Sequence, residues 1–253
     1  MRNLRITLAF RGCAYHGTQV QKNALTVTEV FQDALEKVLG VREDIKNCSR
    51  LDAGVHANQF DLNIKTQSAI PCDGLLRGLN ACLTGDMAVL AVREVPEDFH
   101  ARYSCLGKEY LYKVHNAPIR DPFGAGLVCE YPFPLDEGTL HRAAQAFVGR
   151  HDFAAFCSAG SSVEDTVRTI HSFSVCREGE MVLFTVAGDG FLYNMVRILV
   201  GTLLDVAAGK IPVEALPEII ASRDRVRAGK TAPACGLYLN RVFYQLPLED
   251  DAP

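Results

Sequence analysis

The chain has 253 residues, of which 48% are hydrophobic and 22% charged, and its formal net charge is −4. These values are typical of an ordinary soluble globular protein with one large domain or two modest ones. The N-terminus alternates polar and apolar residues and lacks the long apolar centre of a signal peptide. The longest apolar stretch, residues 198–208, contains Asp205 and is too short to span a bilayer. The sequence therefore predicts a cytoplasmic protein without a membrane anchor.

The spacing of the cysteines argues against a metal site. The nine cysteines are scattered along the chain, and no two of them form a C-x-x-C pair. Structural zinc sites and redox sites normally show that spacing. We therefore predict no metal site.

The net charge does not decide whether the protein binds nucleic acid. Residues 249–251 alone supply three negative charges, so the rest of the chain is nearly neutral and local clusters become the informative feature. The densest basic cluster consists of Arg223, Arg225, Arg227 and Lys230. Such a cluster is more often a solvated surface than a phosphate site, and both interpretations stay open.

The first hundred residues alternate between strand and helix patterns. Thr26 and Glu29 have the spacing of a capping box, and apolar residues then recur at helical spacing until Gly40. Pro71 begins a second amphipathic helix. Strands are predicted at 4–10, 59–65 and 87–95. The predicted order is therefore β-α-β-α-β.

The second half of the chain repeats this pattern with longer elements. Strands are predicted at 109–115, 167–176, 181–187 and 237–245. Helices are predicted at 137–148, 192–207 and 213–222. A Glu178-Gly179 turn joins two of these strands as a hairpin. Helices packed on strands that are joined by hairpins predict an α+β fold with an antiparallel sheet covered on one face.

Three local features are candidates for chemistry. Asp52 lies in a loop between a predicted helix and a predicted strand, where functional residues concentrate, although Asp before Ala-Gly is also a common turn. Arg197 lies in a predicted helix that is apolar nearly all round, so its guanidinium must reach water or meet a carboxylate. Tyr110 lies on a strand with aromatic residues on one face, a pattern that is also common in cross-strand packing.

The stretch Asp52-Ala53-Gly54-Val55-His56-Ala57 resembles the catalytic loop of the tRNA pseudouridine synthase A family, whose usual form is R-T-D-A-G-V-H-A. Other segments resemble the family in the same order over nearly the whole chain. They are Tyr15-His16-Gly17 with Gln19 and Gln21, Leu79-Asn80, Phe99-His100-Ala101-Arg102-Tyr103-Ser104, Asp121-Pro122-Phe123, Gly149 with His151-Asp152-Phe153 and Phe156, Thr166-Val167-Arg168-Thr169-Ile170, residues 191–201, and Ala232-Pro233 with Gly236-Leu237-Tyr238-Leu239.

This resemblance implies a fold of two α/β domains with a ferredoxin-like pattern, which share an extended antiparallel sheet and have the active cleft between them. Residues 1–104 would form the N-terminal domain with the catalytic Asp loop, and residues 105–253 the C-terminal domain with the active-site Tyr and Arg. It also implies a homodimer that binds tRNA across both subunits.

The reaction implied by the resemblance is the isomerisation of uridine to pseudouridine in the anticodon stem-loop, at tRNA positions 38–40. The N-glycosidic bond of uracil is broken, the base turns, and C5 is joined to C1′. An isomerisation of this kind requires no cofactor and no metal.

The resemblance also implies roles for individual residues. Asp52 is the essential carboxylate, which either attacks the sugar or base or removes a ribose proton. Arg197 pairs with Asp52 and keeps it charged. Tyr110 is placed to stack on the target base and to help move the C5 proton. The candidates for RNA contact are Arg50, His56, Arg168, Arg223, Arg225 and Arg227.

The sequence departs from the family pattern at four positions. Arg11 stands where the family usually has Asp, Thr18 where it has Trp, Leu51 where it has Thr, and Lys108 where it has Arg. Departures of this kind suggest a divergent paralogue. Two alternatives therefore stay open: the same chemistry on another RNA or tRNA position, and a catalytically idle RNA-binding protein.

Overall fold

The computed structural model of the chain describes residues 1–160 and 163–245, so the acidic residues of the tail lie outside the described part. The chain divides into two units. The first contains Met1–Leu106 and the chain from Tyr238 onward, and the second contains Gly107–Leu237. The sequence-based boundary, between residues 104 and 105, lies close to the first division. Most of the last strand belongs to the first unit, whereas the sequence predicts it in the second domain.

The first unit combines strands and helices in the predicted order. Its N-terminal part contains β1 (Arg2–Phe10), α1 (Val27–Leu39), β2 (Lys46–Asn47), β3 (His56–Thr66), α2 (Cys72–Cys82) and β4 (Met87–Val95). Strand β1 lies between β4 and β3 and is antiparallel to both. The short strand β2 is antiparallel to β3 on its other edge.

Helix α1 has both of the end signals that the sequence predicts. The Thr26 hydroxyl accepts a hydrogen bond from the Glu29 amide at 3.4 Å, which is the N-cap half of the predicted capping box. Gly40 adopts a left-handed conformation, with φ of 72°, and its amide donates to the Glu36 carbonyl oxygen. A glycine adopts this conformation without a steric penalty, so the helix ends there.

The sheet of the first unit is buried on both faces. Leu4, Ile6 and Leu8 of β1 are fully buried, as apolar alternation predicts. The opposite face carries polar side chains that are also buried, including Arg5 and Asp61. The expectation that only one face is covered is therefore wrong for this unit.

The buried polar face is held together by side-chain contacts. The Thr7 hydroxyl donates to Asp61 Oδ1 at 2.6 Å, and the Arg5 guanidinium lies 5.2 Å from the centre of the Tyr244 ring. Burial raises the pKa of Asp61 above its ordinary value because the charged carboxylate loses water. The contacts from Thr7 and Arg5 act in the opposite direction.

The second unit has a four-stranded antiparallel path flanked by helices. Its elements are β5 (Gly107–His115), β6 (Cys129–Glu130), α3 (Glu137–Ala144), β7 (Gly149–Asp152), β8 (Val167–Glu178), β9 (Met181–Gly188), α4 (Met195–Ala207) and α5 (Leu216–Ser222). The strand order is β5-β9-β8-β7, with β6 parallel to the end of β5. Strands β8 and β9 form the predicted hairpin, which closes at Glu178 and Met181.

All three helices predicted for this unit are shorter than expected. The helix predicted at 192–207 begins three residues later, at Met195. The predicted helix at 137–148 continues beyond α3 as a 3-10 segment, Gln145–Phe147. The predicted helix at 213–222 begins with another 3-10 segment, Val213–Ala215. The strands β2, β6 and β7 were not predicted because two to four residues give no visible alternation.

The last strand, β10 (Leu237–Phe243), lies beside the strand that follows the Asp52 loop. Tyr238 and Leu239 pair with His56 and Ala57 of β3, and the pairing is parallel. The expectation of a wholly antiparallel sheet is therefore incorrect at this edge. Parallel pairing requires a long connection, and here the whole second unit lies between β3 and β10 in the sequence.

Among residues 1–160 and 163–245, no helix is long and apolar enough to cross a bilayer.

Candidate active site

The Asp52 loop connects β2 to β3 and is fixed at several backbone positions. Asp52 itself is half-buried. Its carbonyl oxygen accepts from the Val55 amide at 3.2 Å, which closes a tight turn through Gly54. The Gly54 amide in turn donates to the Tyr15 carbonyl oxygen at 3.2 Å. The aspartate therefore sits on a turn that a second loop holds in place.

The second loop, residues 11–26 between β1 and α1, packs so closely against the Asp52 loop that two of its positions have no room for a side chain. A Cβ on Gly12 would lie 2.0 Å from the Val55 carbonyl oxygen, and one on Gly17 would lie 2.4 Å from the Leu51 carbonyl oxygen. Gly17 also has a φ of 82°, which disfavours other residues. Both glycines are required by this close backbone approach.

Two of the departures from the family pattern contact each other directly. The Thr18 hydroxyl accepts from the Leu51 amide at 2.9 Å, and the Thr18 amide donates to the Leu51 carbonyl oxygen at 3.2 Å. Thr18 is 1% exposed and Leu51 is 8% exposed. The departures therefore form a local pair that fixes the residue immediately before Asp52.

His56 was expected to contact RNA, but its position does not fit that role. The side chain is fully buried, and its Nδ1 accepts a hydrogen bond from the Gly12 amide at 2.9 Å. Its ring stacks on Tyr238 with 4.5 Å between the ring centres. We therefore correct this expectation: His56 joins the two loops to the last strand and presents no surface to RNA.

Tyr110 lies on β5 and is 6% exposed. Its ring meets the ring of Phe191 edge to face, with 5.0 Å between the centres. This packing defines the plane of the tyrosine, as a residue that stacks on a base would need.

Arg197 lies in the first turn of α4 and is half-buried. Its Nε donates to the Ala232 carbonyl oxygen at 2.8 Å, and its Nη1 donates to Asn194 Oδ1 at 2.7 Å. The Ala232 amide donates back to the Arg197 carbonyl oxygen at 3.0 Å. The guanidinium is thus anchored by neutral oxygens of its own unit, and its pairing with Asp52 stays a prediction.

The sequence alone does not indicate that Asn194 and Ala232 are partners of Arg197. An asparagine before an apolar helix is a recognisable helix-start signal, so Asn194 could have been singled out as a cap. Ala232 acts through its backbone, 35 residues away in sequence, and carries no side-chain signal.

The two remaining arginines outside the basic cluster that are predicted to contact RNA differ in how exposed they are. Arg50 is exposed. Arg168 is half-buried, and its Nη1 donates to the carbonyl oxygens of Asp165 and Val167. Arg50 is therefore the more accessible cation of the two.

The basic cluster at Arg223, Arg225 and Arg227 is engaged in local contacts. Arg223 Nε lies 3.0 Å from Asp152 Oδ2, and Arg227 Nη2 lies 2.8 Å from Glu218 Oε1. Arg225 Nη1 donates to the carbonyl oxygen of Gly229 at 2.9 Å, so it holds its own loop together. Only Arg223 and Arg227, with exposed side chains, have guanidinium groups that can readily exchange a partner.

Asp152, the partner of Arg223, is a half-buried carboxylate. Its pKa lies below the ordinary value because Thr166 donates a hydrogen bond to it, with smaller contributions from the Ala154 amide and Arg223.

Within the part of the chain that the structure describes, no group of His, Cys, Asp and Glu side chains is arranged to hold a metal ion.

Comparison with known proteins identifies the class first. Residues 143–245, which include Arg197 and its anchors, match a family model described as tRNA pseudouridine synthase. The match covers 103 of the 253 residues and indicates the class of pseudouridine synthases.

Similarity over nearly the full length then identifies the family. The chain is 46% identical to tRNA pseudouridine synthase A of Acetivibrio thermocellus over 244 residues, which are 96% of this chain and 100% of that protein. It is 45% identical to the protein of the same name from Ruminiclostridium cellulolyticum, with the same two coverages. It is 38% identical to that of Pelobacter propionicus, again over 96% of this chain and 100% of the relative. The chain belongs to the tRNA pseudouridine synthase A family.

Proposed function

We propose that this protein converts uridine to pseudouridine in the anticodon stem-loop of tRNA, at positions 38–40, with Asp52 as its essential residue. The observation that carries this proposal is the Asp52 loop. Its aspartate is half-buried and stands on a turn that is fixed by backbone bonds to Tyr15 and Thr18. A protein that only binds RNA has no need to keep a carboxylate in a surface that meets phosphates.

The reaction needs a carboxylate at a defined place. Asp52 either attacks the sugar or base, or removes a ribose proton, and the bond between N1 and C1′ breaks. The uracil then turns and C5 joins C1′, while the Asp52 carboxylate either leaves the sugar or base to which it was bonded or returns the proton to the ribose. C5 then loses its proton and N1 gains one, so the atoms balance. A tightly held loop serves either route because the residue that carries the carboxylate is already in place when the substrate arrives.

Arg197 supplies a cation to this chemistry. Two fixed acceptors, Ala232 O and Asn194 Oδ1, restrain a side chain that otherwise carries large rotational freedom. We propose that the guanidinium pairs with Asp52 and favours its charged form.

Tyr110 completes the proposed site. Its buried ring, oriented by Phe191, is suited to stack on the uracil after the nucleotide leaves its own stack. Its hydroxyl is the candidate for helping the C5 proton to depart.

Mapping pseudouridine tests the function directly. The purified protein is incubated with unmodified tRNA transcripts, and carbodiimide-dependent stops are read by primer extension. We expect new stops at positions 38–40. Stops elsewhere would show another target for the same chemistry. The absence of stops in tRNA and in other RNA, with binding retained, would show an idle RNA-binding protein.

We also propose that the protein acts in the cytoplasm as a homodimer, as the family resemblance implies. The second unit presents three exposed apolar side chains near one another in sequence: Ile119, Phe123 and Phe133 are 80%, 92% and 66% exposed. Large exposed apolar residues often mark protein interfaces.

Light scattering after size exclusion tests the dimer. We expect the wild-type chain to elute with the mass of two copies and Phe123→Glu to shift towards one copy. Val226, which is 89% exposed, gives the matched control, and Val226→Glu should leave the mass unchanged. A wild-type chain with the mass of one copy at micromolar concentration would contradict the proposal.

A further inference from the structure

The helix that carries Arg197 begins at a residue in an unusual conformation. Asn194 has a φ of 60° and lies in the left-handed region. Among the described residues, the only other non-glycine residue with a positive φ is Arg223. Asparagine tolerates this region better than most residues, but the conformation still has an energetic cost and needs support from its surroundings.

The side chain of Asn194 does not do what an asparagine at a helix start normally does. An asparagine there usually accepts a hydrogen bond from a backbone amide in the first turn. The Asn194 side chain makes no such bond. Its Oδ1 instead accepts from Arg197 Nη1 at 2.7 Å, and its Nδ2 donates to the Ser158 hydroxyl at 3.0 Å.

The orientation of the amide follows from its partners. A guanidinium can only donate hydrogen bonds, so the side-chain oxygen must face Arg197 and the nitrogen must face Ser158. Ser158 is itself fixed, because its amide donates to the Tyr193 carbonyl oxygen at 3.1 Å. The acceptor offered to Arg197 is therefore held from both the backbone and the side chain.

The left-handed conformation and the missing cap have one explanation. In this conformation the side-chain oxygen of Asn194 makes no capping bond to the helix. It accepts instead from the guanidinium of Arg197, three positions later. Together with the Ala232 carbonyl oxygen, it fixes both Nε and Nη1 of Arg197. Nε, Nη1 and the Cδ atom bonded to Nε all lie in the plane of the rigid guanidinium, so fixing them sets that plane.

We propose that Asn194 is a positioning residue for the reaction, which holds the guanidinium plane of Arg197 in the orientation that catalysis requires. The inference rests on the proposed function of Arg197. Asn194 acts through Arg197 and does not need to touch the substrate. The competing interpretation is that Asn194 only starts the helix.

Two variants separate these interpretations. Glycine adopts a positive φ freely, so Asn194→Gly keeps the helix start and its backbone bond to Ile198 while removing the acceptor. Asn194→Asp keeps an acceptor oxygen of the same size and also tolerates the left-handed region.

Three quantities are measured for each variant: the rate of tritium release from tRNA that contains 5-tritiated uridine, under single turnover with excess enzyme; the dissociation constant for tRNA; and the melting temperature. We expect Asn194→Gly to be slower by about 10- to 100-fold, as a misoriented catalytic group is. Its affinity should stay within about threefold, and its melting temperature within about 3 °C. Asn194→Asp should be at least about fivefold faster than the glycine variant.

The inference is overturned if the glycine variant reacts at the wild-type rate, or if the aspartate variant is as slow as the glycine variant. A slow glycine variant that has lost tRNA affinity or melts much earlier would also overturn it, in favour of a structural role. Failure of the proposed function looks different, because then wild type releases no tritium or Arg197→Met is fully active.

Discussion

Asp52 combines partial exposure with a fixed backbone, which is what a carboxylate that reacts with a bound nucleotide requires. The turn that carries it is closed by Val55, and Gly12 and Gly17 allow a second loop to approach it at backbone distance. A residue in such a place contributes its charge without a large cost of ordering. Its carboxylate can therefore be changed with little effect on the surrounding packing.

We predict that Asp52→Asn abolishes tritium release from 5-tritiated uridine in tRNA while leaving tRNA binding largely intact. The amide has the same shape as the carboxylate but is neither a nucleophile nor a base at neutral pH. Asp61→Asn is the matched control, because Asp61 is a fully buried carboxylate of the same unit. That control should keep its activity. Normal turnover by Asp52→Asn would remove Asp52 from the mechanism.

Arg197 is predicted to be needed for the reaction more than for the fold. Arg197→Met fills similar space but leaves Ala232 O and Asn194 Oδ1 without their donor, at a cost of about 1–3 kcal/mol for a half-buried site. We expect a folded protein with a lowered melting temperature and very low activity.

Arg177→Met is the control for Arg197, because Arg177 is also half-buried and bonds to the Leu135 carbonyl oxygen and to Glu137. It should lose comparable stability and keep its catalytic rate. The role of Arg197 would be contradicted if both variants lost activity only in proportion to their loss of stability.

The contact between Thr18 and Leu51 predicts that the Asp52 loop depends on the loop that carries Thr18. Thr18→Val keeps the shape of a side chain that is 1% exposed but removes the acceptor of the Leu51 amide. An unsatisfied buried amide costs about 1–3 kcal/mol, so the free energy of unfolding should fall by that amount in urea denaturation. Tritium release should slow as well, because Leu51 immediately precedes Asp52.

The control for this loop is Thr185→Val, at a half-buried position on β9. Valine has a high propensity for β-strands, so this variant should be at least as stable as wild type. If both variants had the same stability as wild type, the Thr18 hydroxyl would not be holding the Asp52 loop.

His115 predicts a dependence of stability on pH at the end of β5. Its Nδ1 lies 2.6 Å from Glu130 of β6, and its Nε2 lies 3.3 Å from Glu180 in the turn after β8. The hydrogen bond to Glu130 is the larger cause that raises the pKa of His115 above its ordinary value, followed by the one to Glu180. The folded state therefore holds this proton to higher pH than the unfolded state does.

The stability that His115 contributes is complete below its ordinary pKa and is lost as pH rises through the raised value. We expect the melting temperature of wild type to fall as pH increases above about 6.5, and His115→Gln to reduce that fall. His171→Gln changes an exposed histidine of β8 and should leave the pH profile as it is. Parallel profiles for wild type and His115→Gln would contradict the linkage.

Across the whole molecule, the sequence predicts those features that local patterns encode. The start of α1 with Thr26 as its N-cap, the end of α1 at Gly40 and the β8–β9 hairpin are confirmed, because each depends on neighbouring residues. The parallel pairing of β10 with β3 depends on residues more than 180 positions apart, and no local pattern reports it.

The candidate site follows the same division between local and distant contacts. Asp52, Tyr110 and Arg197 were identified from motifs along the chain. The bond from Arg197 to Ala232 and the contact of Thr18 with Leu51 bring together segments that are distant in sequence. His56 was assigned to RNA contact because it belongs to the loop motif, and its burial between Gly12 and Tyr238 could not be seen from that motif.

The whole molecule is acidic, with a net charge of −4, yet its proposed substrate is a polyanion. Binding must then depend on local basic surfaces, and affinity for tRNA should fall steeply with salt. Each phosphate neutralised contributes a slope of about 0.7–0.9 in log K against log salt. We propose that Arg223 and Arg227, the exposed arginines of the basic cluster, each contact a phosphate. Arg225 is left out, because reversing its charge would break its bonds within the loop.

The double variant Arg223→Glu/Arg227→Glu tests this surface. It should bind tRNA more weakly than wild type, with a slope shallower by about 1.4–1.8 and an unchanged circular dichroism spectrum. Arg42→Glu/Arg142→Glu makes the same change in net charge at two other exposed arginines, and should lower affinity without changing the slope as much. If both double variants show equal slopes, the cluster is only a solvated surface. Its arginines then pair with Asp152 and Glu218 or with water. The phosphate contacts would then lie elsewhere, with exposed Arg50, Arg11 and Lys22 as the next residues to reverse.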